Sequence, residues 1–145
     1  MSKMPKVKSL RNLIFTRKII VVYHKDDAGF DVWANENYFE FETALIDYNT
    51  VGIRIDMSSG ERIDMQAEIG SNYGRDVVFM LERFESLFLQ DKAVIDSFIE
   101  QVCEIADKRK AMFVVCIKSS ELYLLDRISN RIPSIFSSLL NLDDK

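Results

Sequence analysis

Hydrophobic positions along the chain change period twice, and those changes predict its elements. In residues 5–16 (PKVKSLRNLIFT), Val7, Leu10, Leu13 and Ile14 recur at helical spacing with cations opposite, which predicts a short amphipathic helix. Residues 17–24 (RKIIVVYH) are apolar at consecutive positions, as in a central strand covered on both faces. A DDAG turn signal leads to FDVWA, and the pair reads as a hairpin. In NENYFEFETALIDYNT, Phe39 and Phe41 alternate while Phe41, Leu45 and Tyr48 are helically spaced, so this stretch reads as a strand turning into a short helix.

Strict alternation follows. Val51, Ile53, Ile55 and Met57 alternate with polar residues, as do Ile63, Met65, Ala67 and Ile69, and SSG between them predicts a hairpin over 51–69. Of the registers that keep the apolar residues on one face, one opposes Asp56 to Asp64. The other opposes Asp56 to Arg62 and Arg54 to Asp64, around a three-residue Ser58-Ser59-Gly60 loop. Charge selects the second.

After Gly70–Gly74 the period becomes 3.6. Val77, Met80, Leu81, Phe84, Leu87 and Phe88 form one stripe; Ile95, Phe98, Ile99, Val102, Ile105 and Ala106 form another, with Asp91 as N-cap and Lys108-Arg109-Lys110 at its carboxyl end. MFVVCI (112–117) reads as a buried strand and ELYLLDRISN is left open. IPSIFSSLLNL reads as a terminal helix with Pro133 in its first turn. Strands followed mostly by helices predict a single α+β domain over 1–145: a basic segment at 1–16, mostly strand over 17–69, and mostly helix over 75–145. Its sheet is mainly antiparallel, a meander plus one later strand, with the helices on one face.

Composition narrows the function classes. The 145 residues are 48% hydrophobic and 29% charged with two prolines and five glycines, an ordinary globular balance. Cys103 and Cys116 lie in apolar runs and read as buried free thiols. With His24 the sole histidine, no metal-ligand spacing can be assembled and no cofactor is implied. No apolar run spans a bilayer, and Arg17-Lys18 interrupts the one stretch resembling a secretory core, so a cytoplasmic protein is expected.

Neither GxGxxG nor GxxxxGK[ST] occurs. The nearest candidate for an anion site is Gly70–Arg75, read as a helix-entry loop in which Asn72 and Arg75 would serve. A nucleophile–histidine pair would need His24, which ends a strand, and Asp56 with Asp64 offers a carboxylate dyad that nearby arginines neutralise. No catalytic residue is assigned.

Charge is segregated. Residues 1–25 carry seven Lys/Arg and no acid; the total of −4 therefore leaves −11 for residues 26–145. Residues 26–53 hold seven acids and no Lys or Arg, and among them lie Phe30, Trp33, Tyr38, Phe39, Phe41 and Tyr48. Asp31, Trp33, Glu36, Tyr38, Glu40 and Glu42 thus describe an acidic, aromatic face suited to a basic protein. This predicts a non-catalytic binding module, such as an inhibitor or immunity-type protein covering a basic nuclease. The alternatives are a binder of nucleic acid or another anion through residues 3–18 and the Gly70–Arg75 loop, and a small carboxylate hydrolase. A pI near 5.1 and the absence of basic-aromatic interleaving along the chain argue against nucleic acid.

Overall fold

The computed structural model describes residues 18–25, 49–59, 64–133, 135–136 and 139–141. Among the described residues five strands form one sheet: β1 (Ile19–His24), β2 (Thr50–Asp56), β3 (Asp76–Glu82), β4 (Met112–Lys118) and β5 (Leu139–Asn141), in the order β2-β3-β4-β1-β5. Every pairing is parallel. Helix α1 (Met65–Ser71) connects β2 to β3. A 3-10 segment (Phe84–Leu89) and helix α2 (Lys92–Asp107) connect β3 to β4, and a second 3-10 segment (Ser119–Ile128) follows β4.

The sheet is therefore that of an α/β fold, not the antiparallel α+β arrangement expected from the sequence. Burial on both faces explains the difference. Val21, Val77, Phe79, Leu81, Phe113, Val115 and Ile117 face one side and pack with Ile95, Ile99, Val102 and Ile105 of α2. Ile20, Val22, Val78, Met80, Val114 and Cys116 point the other way and are equally inaccessible. A parallel strand covered on both faces loses alternation and becomes a continuous apolar run. Val77–Leu81 within DVVFMLE is such a run, and because it is apolar at every position it also satisfies helical spacing, hence the helix expected from Val77. Phe79 and Phe113, paired across β3 and β4, stack at 5.6 Å between centroids. Full burial of such a ring contributes about 1.5–3 kcal/mol.

The expected 51–69 hairpin is also replaced. Strand β2 forms with the expected alternation but pairs with β3, setting Asp56 beside Glu82. Its supposed partner becomes α1, because Asp64 caps a helix: its Oδ1 accepts the Ala67 N–H at 3.0 Å. Met65 is buried and Ile69 half-buried, an i, i+4 pair, while Ala67 between them is exposed. Residues 60–63, with Arg62, lie outside the described residues.

Helix α2 and strands β1 and β4 stand where the sequence placed them. The expected carboxyl-terminal helix does not form: residues 131–136, where described, are turns, and 139–141 are β5. The expected helix at 5–16 and the FDVWA strand lie outside the described residues. Among the described residues no helix is long and apolar enough to cross a membrane.

Candidate functional site

Strand order locates the candidate site before any side chain is considered. From β1 the chain proceeds to β2 at one edge of the sheet, whereas from β4 it passes β1 to reach β5 at the other. Successive connections thus run in opposite directions from two neighbouring strands. In open parallel sheets a ligand crevice forms at this point, beyond the carboxyl ends of the strands. Here those ends are His24 and Lys118, which are register partners.

Ionisable side chains gather along this edge, on the face away from α2. His24 and Glu82 are buried, at 2% and 4% exposure. Glu82 ends β3 and is gripped by Arg54 of β2 through two guanidinium nitrogens, Nε to Oε2 and Nη2 to Oε1, the latter at 2.8 Å. Such a fork fixes the carboxylate in orientation as well as charge. Arg83, next along, is left-handed (φ 54°, ψ 47°) and donates back to Asp56 Oδ2 of β2 at 3.2 Å. Each of the two strands thus gives the other one cation and one anion.

Asp56 has further partners. Ser58 donates to its Oδ1 from the hydroxyl at 2.6 Å and from the backbone N–H at 2.9 Å. Partial burial works to raise its carboxyl, but the Ser58 donors and the Arg83 charge outweigh that and hold it below the usual carboxylate value. Cys116 of β4 sits beside the Arg54–Glu82 pair. Complete burial, reinforced by the Glu82 charge, pushes its thiol well above the ordinary range, so it carries no thiolate reactivity at neutral pH.

A roof closes over this edge on the α2 side. The Lys118 N–H donates to Glu85 Oε1 at 3.4 Å, Phe84 and Phe88 meet edge to face at 5.8 Å, and the Arg127 guanidinium lies 5.2 Å over the Phe88 ring. These contacts tie the two 3-10 segments together.

The residues expected from sequence fall differently. Asp31, Trp33, Glu36, Tyr38, Glu40 and Glu42 lie outside the described residues. Asp56 and Asp64 do not make a dyad, since one is tied to Arg83 and Ser58 while the other caps α1. Asn72 and Arg75 follow a helix rather than opening one: Asn72 is the C-cap of α1, its N–H returning to Ile69 and Gly70 carbonyls and its Nδ2 to the Glu68 carbonyl. The premise of an anion-binding helix entry is therefore absent there. Among the described residues no group of three or more His, Cys, Asp or Glu is placed to hold a metal. The sequence singles out neither Glu82 nor Arg83, and it sets Arg54 opposite Asp64, whereas Arg54 pairs with Glu82. The available signal was Glu82, an acid closing an uninterrupted apolar run.

No protein-family model matches the chain, and no curated protein matches it. Among solved structures it is similar to the Orc1 protein of Aeropyrum pernix, determined in complex with DNA, with a TM-score of 0.62 and 10% identity. The match covers 96% of this chain and 43% of that one. The likeness is one of fold. The chain spans less than half the length of that protein.

Proposed function

We propose that this chain is a non-catalytic binding module built on a parallel α/β scaffold, with a basic protein as its partner. One observation carries the reading. The carboxylates Glu82 and Asp56, standing where an enzyme of this architecture would hold reactive groups, are both engaged by guanidinium groups of the same chain. A carboxylate whose oxygens are already taken by guanidinium donors of its own chain is not presented to a substrate.

The sequence supplies the partner's chemistry: seven acids and six aromatics over residues 26–53, with no Lys or Arg, favour association with a cationic surface. Free Cys103 and Cys116 suit a reducing compartment such as the cytoplasm. The test is affinity capture from the source cells with the full chain and with a D31K/E40K/E42K variant. The native chain is expected to retain strongly basic proteins that the variant releases. Retention of the same proteins by both would refute the reading.

A second reading, association with nucleic acid, is favoured by the fold likeness to a protein determined with DNA. The seven cations of residues 1–25 would serve it.

A further inference from the structure

The opposite edge of the sheet carries a different chemistry. At the amino ends of the strands the chain enters β1 from Lys18, β2 from Asn49, β3 from residues 72–75 and β4 from residues 108–111. Five cations, Lys18, Arg75, Lys108, Arg109 and Lys110, meet there with two acids, Asp76 and Asp107, and all seven are exposed. Lys108 is taken by Glu104 at 3.0 Å, and Lys110 lies in the field of that carboxylate. Among the described residues Lys18, Arg75 and Arg109 have no ion-pair partner.

Because β3, β4 and β1 are neighbours in the sheet and Lys18 lies level with Met112 and Val78, their entries lie within about 15 Å of each other. Residues 1–17, which precede Lys18 in the sequence, carry five further cations and no acid.

Beside these cations stands Tyr73, the most exposed large hydrophobic side chain among the described residues at 95%. Its loop is held at several points. The Tyr73 N–H donates to the Gly70 carbonyl, Arg75 N–H to the Asn72 carbonyl and Asp76 N–H to the Asn49 carbonyl, while Asn49 Nδ2 reaches the Gly74 carbonyl at 2.9 Å. Gly74 supplies the left-handed φ of 87° that closes the loop, a conformation that would strain any residue with a Cβ. The ring therefore stands in solvent on a braced base, having lost backbone freedom in advance of any contact.

We infer that the amino edge of the sheet is a binding surface for single-stranded nucleic acid, in which Lys18, Arg75, Arg109 and Lys110 meet phosphates and Tyr73 stacks on a base. The inference deepens the nucleic-acid reading, on which it rests, and is independent of the basic-protein reading. Clustered cations with one exposed aromatic are what a single strand requires, since every base offers a π face and every linkage a charge. Along the sequence these residues are scattered from 18 to 110; the parallel sheet brings them to one rim.

The test is fluorescence anisotropy of the full chain with a labelled mixed-sequence single-stranded oligonucleotide across a salt series. Four phosphate contacts on a single strand give a slope of log affinity against log salt of about −3. R75E/R109E/K110E is expected to reduce that slope to about −1 or less, and Y73A to weaken binding roughly fivefold to a hundredfold at unchanged slope, with Y73F retaining it. All these positions are exposed, so the melting temperatures should match that of the native chain.

No binding at low salt would overturn both the inference and the nucleic-acid reading. Binding whose slope ignores the triple reversal would overturn the inference alone, leaving residues 1–17 as the contact. Equal binding to phosphatidylserine vesicles, indifferent to Y73A, would overturn it in favour of an anionic membrane surface.

Discussion

Arg54 and Glu82 lie on neighbouring parallel strands, yet they are not register partners: Glu82 opposes Asp56, and Arg54 reaches diagonally toward the carboxyl edge to hold it. The diagonal is what frees Asp56 to take Arg83. Removing the cation alone leaves a carboxylate buried at 5% side-chain exposure. R54M should therefore destabilise the chain by about 2–4 kcal/mol, less than a fully buried pair because Arg54 is partly solvated. R54M/E82M should recover most of the loss, as a lower denaturant midpoint at unchanged m-value for the single variant and near-native behaviour for the double would show.

Asp56 gives that edge a pH dependence. Its folded carboxyl lies below its ordinary value. A group depressed on folding stabilises the protein above its unfolded pKa, and the contribution is lost as pH falls through the folded value. Unfolding midpoints measured from about pH 5 down to about pH 2 should decline, and D56N should remove part of that decline while leaving the rest.

Asp64 distinguishes helix from hairpin by a single substitution. As the N-cap of α1, D64A should cost about 1 kcal/mol and D64N or D64S much less, because each can accept the Ala67 N–H. In an ion-paired strand, D64N and D64S would lose the charge and fare as badly as alanine.

The two thiols should differ in access. Cys116 is fully buried, with its thiol raised by that burial and by Glu82. Cys103 is half-buried, and its thiol is raised by burial and by Asp107 against the opposing charge of Arg131. A thiol reagent should label Cys103 slowly in the native protein and Cys116 only after unfolding.

What could be read from sequence depended on whether a segment faces water. Helix α2 keeps Glu100, Glu104 and Asp107 on its solvent side, so its period is plain. Strands β1 and β4 were legible as short apolar runs. Strand β3 was not, because the 3-10 segment after it adds Phe84, Leu87 and Phe88 and lengthens the apolar pattern to helical proportions. The hairpin misled for a related reason: Met65 and Ile69 satisfy a period of two across Ala67 and a helical i, i+4 spacing equally well. The side-chain cap at Asp64 is what separates the two in the structure, whereas the charge register sets Asp64 in a strand opposite Arg54. Neither edge of the sheet could be assembled from sequence. Arg54 and Glu82 are 28 residues apart, and the rim cations are brought together only by parallel pairing.

The chain is proposed to work by presenting charge to a cationic partner rather than by turning over a substrate. The most direct test is the association rate with the basic protein that the native chain retains, measured between about 20 and 200 mM salt. Electrostatic steering should make the rate fall at least tenfold across that range, with the dissociation rate changing far less. An association rate insensitive to salt, or a bound protein chemically altered on mixing, would contradict it.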